Sequence, residues 1–492
     1  MSFNVQKCID LHNTIVARGI AQLPADLHPT VVRNWFTAYD IDPSNPGLEF
    51  EMTIPLKEFL SGIDIVKPRS NARRLAFTPF LVGICSPSEM IPYIWEMSHG
   101  YGEFLLLYKN VGEDPGGLSM YLDDHTVSFI ETCEDEPTEA LYVDLEGTLK
   151  SYLDYIDAGK FVVDARYERS GYGDGSACEG WRYEGYLPVE LDMTIELWSN
   201  LVDLIAYKML GSPSTETDEV LIPVSVLEQH PSIPLFARAF LSTAKKPPFR
   251  KIAPELLVPD ELFVQRMGAH LDRRYEPAIA CEQLRCPTAN FLLFPWETPG
   301  VPFVSVEDED RWVRNRRLMD ERAGLYLMPD EIMANTIKML LPFPIGRSRF
   351  VLRSDGETKS KAVHDILYQH GICNPSLPPH GTPLAAVLSS WFDLVDDGTW
   401  PVNGDGVAGG RGKWRLADTQ EHAAKFQAEF LILHIMLKAE KYREGAKERR
   451  SASSLGTEAE FGHGLYYQKV IQTVVASFVR SSFNGGRLDI QS

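Results

Sequence analysis

The residues best placed for chemistry are a thiol and a hydroxyl, Cys85 and Ser86, which follow an apolar run at 80–84. The run reads as a buried strand, and α/β proteins place reactive groups where such strands end. Residues 87–97 are predicted to form a helix, whose first turn offers unpaired N–H groups and a positive dipole end. That field lowers the pKa of a thiol and stabilises an oxyanion. Either Cys85 or Ser86 could therefore act as the nucleophile of an acyl transfer.

The same segment has a purely structural interpretation. Ser86, Pro87, Ser88 and Glu89 spell a capping box with proline at the first helical position. In that interpretation Ser86 caps the helix and its side-chain oxygen accepts a backbone N–H. Both interpretations require the strand, the turn and the helix in the same places.

The segment L-V-G-I-C-S-P at 81–87 resembles the strand-to-helix signature of the cyclodipeptide synthases. The resemblance covers residues 80–89 and implies a Rossmann-like domain. It also implies that a serine takes an aminoacyl group from one charged tRNA. A second aminoacyl-tRNA then supplies the attacking amine, and cyclisation releases a diketopiperazine without ATP or a metal. Gly83 would lie on the substrate side of that turn.

This chain departs from the family pattern at three points. One extra residue separates Gly83 from the Ser-Pro pair, so either Cys85 or Ser86 takes the nucleophile position. The family's helix with a tyrosine and a glutamate is represented only by Glu228, in V-L-E-Q-H-P, without the tyrosine. The chain is also longer than usual, which points to a distant, enlarged branch such as the arginine-using synthases.

A tRNA partner has to be reconciled with the charge of the chain. The formal net charge is −20, and such a surface repels polyanions at long range. Binding of aminoacyl-tRNA therefore requires a local basic face, to which we assign Arg69, Arg73 and Arg74, just before the proposed catalytic strand. Basic clusters at 245–251 and 311–317 are further candidates. We expect neither DNA nor a membrane as a partner.

Three other motifs are assigned to structure rather than to chemistry. The GxGxxG at 404–409 is predicted to be a surface loop that binds no nucleotide, because the next helical pattern starts near 418. Four possible zinc ligands have loose spacing, so we expect no metal site and no cofactor. These four are His364, His370, Cys373 and His380. The Gly- and aromatic-rich stretch at 171–186 is predicted to be a hairpin or packed loop rather than a surface for base stacking.

Composition and periodicity indicate the class of protein and the fold in which these residues lie. The 492 residues are 44% hydrophobic and 24% charged, and the seven cysteines are scattered, which is typical of a cytoplasmic protein with reduced thiols. We expect no signal peptide and no transmembrane helix. The predicted fold is α/β: an N-terminal helical segment (1–64), a Rossmann-like region with a mixed or parallel sheet (65–215), a mixed proline-rich region (216–415) and a helical C-terminal region (416–492).

The sequence leaves three functions open. The first is aminoacyl transfer from charged tRNA to form a cyclic dipeptide through an aminoacyl-enzyme. The second is a non-catalytic binding or scaffold protein, and the third is another acyl-transfer enzyme that acts on small molecules. A Tyr/Glu pair facing Cys85 and Ser86 in one cleft would favour the first, and a shallow surface would favour the second.

Overall fold

The computed structural model divides the chain into two units, 1–443 and 444–492. It describes residues 3–44, 51–67, 75–90, 92–97, 100–110, 116–130, 143–164, 180–210, 219–275, 290–298, 322–327, 336–352, 364–368, 382–426 and 428. All of these lie in the first unit, to which the following description applies. No helix among them is long and apolar enough to span a membrane.

The N-terminal part of this unit is built on a six-stranded sheet. Its strands, in chain order, are β3 (Leu81–Ile84), β4 (Pro92–Met97), β5 (Gly100–Asn110), β6 (Gly117–Tyr121), β7 (Thr126–Ile130) and β8 (Val143–Asp144). The order is β3-β5-β6-β7-β8, with β4 also pairing with β5. Every pairing in this sheet is antiparallel. The chain is thus α/β in general, and these strands form a meander where the sequence predicted a Rossmann-like sheet.

Helices and short strands come before and after this sheet in the chain. They are α1 (Val5–Ala21), β1 (Thr30–Arg33), α2 (Trp35–Tyr39), α3 (Ile54–Gly62), β2 (Asp64–Lys67), α4 (Leu145–Asp157), β9 (Phe161–Val163) and β10 (Trp181–Tyr183). The apolar period of 3.6 residues predicts a helix at 146–158, which is confirmed as α4. It starts where the Asp144 carboxylate accepts the N–H of Gly147. The apolar side chains of these elements and of the sheet form one cluster between Cys8 and Trp181, which spans the predicted boundary near 64.

A second hydrophobic cluster joins side chains between Met193 and Ala428. Its helices are α5 (Pro188–Leu210), α6 (Val224–Leu227), α7 (Leu235–Thr243), α8 (Glu261–Tyr275), α9 (Leu384–Asp396), α10 (Gly410–Arg415) and α11 (Ala423–Phe426). Its strands are β11 (Lys251–Ala253), β12 (Leu256–Leu257), β13 (Phe291–Pro295), β14 (Gly324–Leu327), β15 (Thr336–Ile345), β16 (His364–Leu367), β17 (Thr382–Pro383), β18 (Val402–Asn403) and β19 (Gly406–Val407). They form one five-stranded and one four-stranded sheet.

Four of the helices that the sequence predicts, at 27–39, 87–97, 329–340 and 357–370, are wrong in whole or in part. Within the first and the last of them, β1 occupies Thr30–Arg33 and β16 occupies His364–Leu367. Residues 87–89 form a turn and 92–97 form β4, because the aromatic and β-branched side chains of 92–97 favour a strand, which pairs with β5 from end to end. Residues 336–340 of the predicted helix 329–340 belong to β15, which is hydrogen-bonded to β14 and β17. The sequence also predicts a helix from about 190 to 210, and α5 confirms it. Of the predicted helical region 416–492, the described residues hold a short 3-10 turn and α11.

Candidate functional site

The candidate site is a wide bulge in the edge of the six-stranded sheet. β3 and β4 both pair with the same side of β5: Ile84 stands opposite Tyr108, and Pro92 stands opposite Leu105. The edge chain therefore advances eight positions, 84 to 92, while β5 advances three, 108 to 105. The excess residues form a turn that leaves the sheet, and bulges of this kind often lie beside functional sites.

Cys85 is the last residue of this edge that is still held by the sheet. Its N–H donates to the carbonyl of Leu107 at 3.0 Å, and its own carbonyl accepts the indole N–H of Trp35 at 2.9 Å. The residue is buried, with none of its surface exposed. Its thiol therefore lies within the hydrophobic cluster, where a substrate would have no access to it.

Ser86 begins the turn, and its hydroxyl donates to Oε2 of Glu89 at 2.7 Å. The same carboxylate oxygen accepts the N–H of Ser86 at 3.0 Å, while Oε1 accepts Nζ of Lys109 at 2.9 Å. Lys109 comes from β5, where it stands opposite Gly83. One half of the predicted capping box thus exists without a helix, but the serine hydroxyl is a donor to Glu89 instead of an acceptor for the backbone.

The charged groups of this turn, Glu89 and Lys109, form an ion pair. Partial burial by itself would raise the pKa of Glu89, but the hydrogen bonds from Lys109 and Ser86 outweigh it and lower the pKa to about 2. Glu89 is therefore ionised at neutral pH and holds protons weakly. A general base is most effective when its pKa lies near the working pH, so Glu89 is a poor activator of the Ser86 hydroxyl.

Gly83 is required by the backbone of β3. Its φ is +148°, and it lies where the register against β5 shifts between Leu81 and Gly83. A side chain is strained in that conformation, which explains a glycine at this irregular point of the strand. The sequence assigned Gly83 to substrate binding, and the geometry gives it this local structural role.

The remaining predicted site residues are not brought to this turn by any described contact. Glu228 is the C-terminal cap of α6, which packs in the second hydrophobic cluster, whereas Ser86 and Cys85 belong to the region of the first. Arg69, Arg73 and Arg74 lie outside the described residues. A basic face for tRNA therefore stays a prediction.

Sequence reasoning missed three polar contacts that the fold creates. Lys109 reaches Glu89 only because β3 and β5 pair, so no local sequence pattern indicates this contact. His12 on α1 is buried and hydrogen-bonded to Tyr108. His230, in the turn after α6, pairs with Asp272 of α8 at 2.7 Å, and its ring packs against the backbone at Gly268.

The other motifs receive structural roles where they are described. The GxGxxG begins in the exposed turn between β18 and β19, at Gly404 and Asp405, which agrees with the predicted surface loop, and continues into β19. The predicted helix start near 418 is wrong, because α10 begins at Gly410. That it binds no nucleotide stays a prediction. Trp181 is buried and donates to the carbonyl of Ala76, and Tyr186 packs against Phe236, so both serve the core.

The absence of a metal site stays a prediction. No group of three or more metal-ligating side chains occurs in the part of the chain that the structure describes. His370, Cys373 and His380 lie outside that part, as does the side chain of His364.

Comparisons with known proteins returned no match: no family model, curated protein or solved structure is similar to this chain.

Proposed function

We propose that this chain is a non-catalytic binding protein whose partner is a basic protein. The observation that carries the proposal is that the polar groups of the candidate site are engaged with one another and its thiol is buried. The Ser86 hydroxyl donates a hydrogen bond to Glu89, Lys109 offsets the charge of Glu89, and the Cys85 thiol is buried. Catalytic nucleophiles need a base whose pKa is matched to the reaction, and Glu89 lacks that property.

The chemistry of the partner follows from charge. A net charge of −20 produces a negative potential over much of the surface, which accelerates encounter with a cationic partner and opposes a polyanion. Because this attraction acts between solvated charges, it is screened by salt over about 8–10 Å. The proposal therefore predicts an affinity that falls as ionic strength rises.

Aminoacyl transfer to Ser86 is the second candidate, and the Ser86–Glu89 hydrogen bond favours it. In that reaction Oγ attacks the ester carbonyl of aminoacyl-tRNA, the ribose hydroxyl leaves, and the proton passes from Oγ through Glu89 to the leaving oxygen. Transfer from a small acyl donor would use the same atoms. The tRNA form also needs Arg69, Arg73 and Arg74 to gather beside the bulge.

Intact-mass spectrometry separates the two candidates. After incubation with aminoacyl-tRNA, the binding function predicts an unmodified chain, whereas aminoacyl transfer predicts an adduct that is absent in Ser86→Ala and retained in Ser88→Ala. Ser88 is the matched control because it lies on the same exposed turn, 3.3 Å from the Ser86 oxygen.

The partner itself is tested by capture followed by reconstitution. A protein captured from the source cells is purified and bound again to the pure chain at low and high salt. We expect a partner with excess lysine and arginine and a marked loss of affinity at high salt. An acidic partner, or an affinity indifferent to salt, would contradict the proposal.

A further inference from the structure

The turn after β15 binds one carboxylate, that of Asp418, through three backbone N–H groups. The N–H groups of Gly346 and Ser348 donate to Oδ2 of Asp418 at 3.0 and 2.9 Å, and the N–H of Phe350 donates to Oδ1 at 3.1 Å. Alternate residues of one turn thus direct three backbone donors to a single carboxylate. Successive N–H groups arranged in this way form concave sites for anions such as phosphate.

Two residues of this turn have a left-handed backbone conformation. Gly346 has φ +92° and Arg349 has φ +62°, both in the left-handed region. A non-glycine residue adopts that region at a cost, which the rest of the turn has to offset. The shape that directs the N–H groups of 346–350 to Asp418 thus includes two left-handed residues of the turn itself.

The turn carries two arginines, and a third lies close to Asp418 in the chain. Arg347 and Arg349 belong to the turn itself and are exposed. Arg415, three residues before Asp418, lies over the ring of Phe343 at 5.3 Å. Arginine suits phosphate because its planar fork can donate two parallel hydrogen bonds.

We propose that this turn is a binding site for a phosphate monoester on a small molecule, and that Asp418 closes the site until such a ligand displaces its carboxylate. A phosphate monoester carries more negative charge and one more acceptor oxygen than a carboxylate, so it can use three N–H donors and two arginines together. A small ligand is favoured over a nucleic acid because the net charge of −20 opposes a polyanion. The inference is independent of the function of the Ser86 turn.

Calorimetric titration of the full chain with inorganic phosphate at low ionic strength tests this. Asp418→Ala removes the internal competitor and should bind phosphate at least about tenfold more tightly than the wild type, because the open site is then always available. Combining it with Arg347→Ala and Arg349→Asn should abolish that gain. Asparagine at 349 removes the charge and still tolerates positive φ.

Two further variants exclude trivial explanations. Asp418→Asn keeps an oxygen acceptor for the turn and should bind phosphate with intermediate affinity. Asp260→Ala removes a different surface carboxylate that accepts a backbone N–H, at the start of α8, and should bind phosphate no better than the wild type.

Four results would overturn the proposal. The first is equal or undetectable phosphate binding by the wild type and Asp418→Ala. The second is binding that survives loss of both arginines. The third is tighter binding of a single-stranded oligonucleotide than of phosphate, which would move the ligand class to nucleic acid. The fourth is loss of the folded state in both Asp418→Ala and Asp418→Asn, which would make this carboxylate a permanent support of the fold.

Discussion

His12 and Tyr108, 96 positions apart, meet in the first hydrophobic cluster, where Nδ1 of the imidazole lies 2.8 Å from the phenol oxygen. The other ring nitrogen, Nε2, lies 2.9 Å from the carbonyl of Asp64. A carbonyl can only accept, so Nε2 carries the proton and Nδ1 accepts from Tyr108. The contact joins α1, β2 and β5 through one neutral imidazole.

This arrangement predicts how stability depends on pH. Burial lowers the pKa of His12 to about 4, against an ordinary value of 6.5. Below pH 6.5 His12 becomes protonated in the unfolded chain but stays neutral in the folded chain. The free energy of unfolding therefore falls as the pH is lowered from 6.5 to about 4. The contribution of His12 should reach roughly 3 kcal/mol over that interval.

Denaturant unfolding at several pH values checks this. His12→Asn should show a flatter dependence of unfolding free energy on pH than the wild type. His28→Asn changes a part-buried histidine outside the cluster and should leave the wild-type slope in place. Equal slopes for His12→Asn and the wild type would show that His12 does not titrate as described.

A buried ion pair links the end of α4 to the start of α5. Nζ of Lys160 donates to Glu190 at 2.7 Å and to the carbonyl of Gly185 at 3.2 Å, and both charged side chains are almost fully buried. Removing one partner leaves an uncompensated buried charge, so Lys160→Met should cost about 3–5 kcal/mol of unfolding free energy.

A double-mutant cycle shows whether that cost comes from the orphaned charge. Lys160→Met combined with Glu190→Leu should be less destabilised than the sum of the two single variants. Additive single effects, measured by urea unfolding, would show that the two side chains are not energetically coupled.

The surroundings of Gly268 and Gly412 predict opposite effects of replacing each glycine by alanine. A β-carbon at 268 would overlap the His230 ring, so Gly268→Ala should disturb the His230–Asp272 pair and destabilise the chain by about 1–3 kcal/mol. That exceeds the gain of about 1 kcal/mol from better helix propensity. Gly412 in α10 has no atom near its β-position, so Gly412→Ala should be neutral or stabilising. Thermal melts that rank the two variants in the reverse order would refute this packing argument.

The local parts of the fold could be predicted from the sequence. The apolar period of 3.6 residues, with Gly159 after it, is enough to predict α4. The strands β5 to β7 carry aromatic and branched residues between turn signals. In these segments local preference and tertiary packing agree, so a single sequence contains the information.

The pairing of distant strands could not be predicted, and the candidate site depends on it. The S-P-S-E pattern predicted a helix, but pairing of 92–97 with β5 outweighs a local capping preference. Lys109 reaches Glu89 for the same reason. Asp418 and the turn at 346–350 are about 70 residues apart in sequence, and only the fold brings them together.

The reactivity of Ser86 tests the central claim most directly. A fluorophosphonate ester reacts covalently with serine hydroxyls that are activated as nucleophiles, and peptide mass spectrometry locates the adduct. Because the Ser86 hydroxyl is held by an ionised Glu89 that is paired with Lys109, we predict no labelling of Ser86 above that of the neighbouring Ser88. Stoichiometric labelling of Ser86 in the folded protein, lost in Ser86→Ala and retained in Ser88→Ala, would contradict the binding function and restore acyl transfer as the better account.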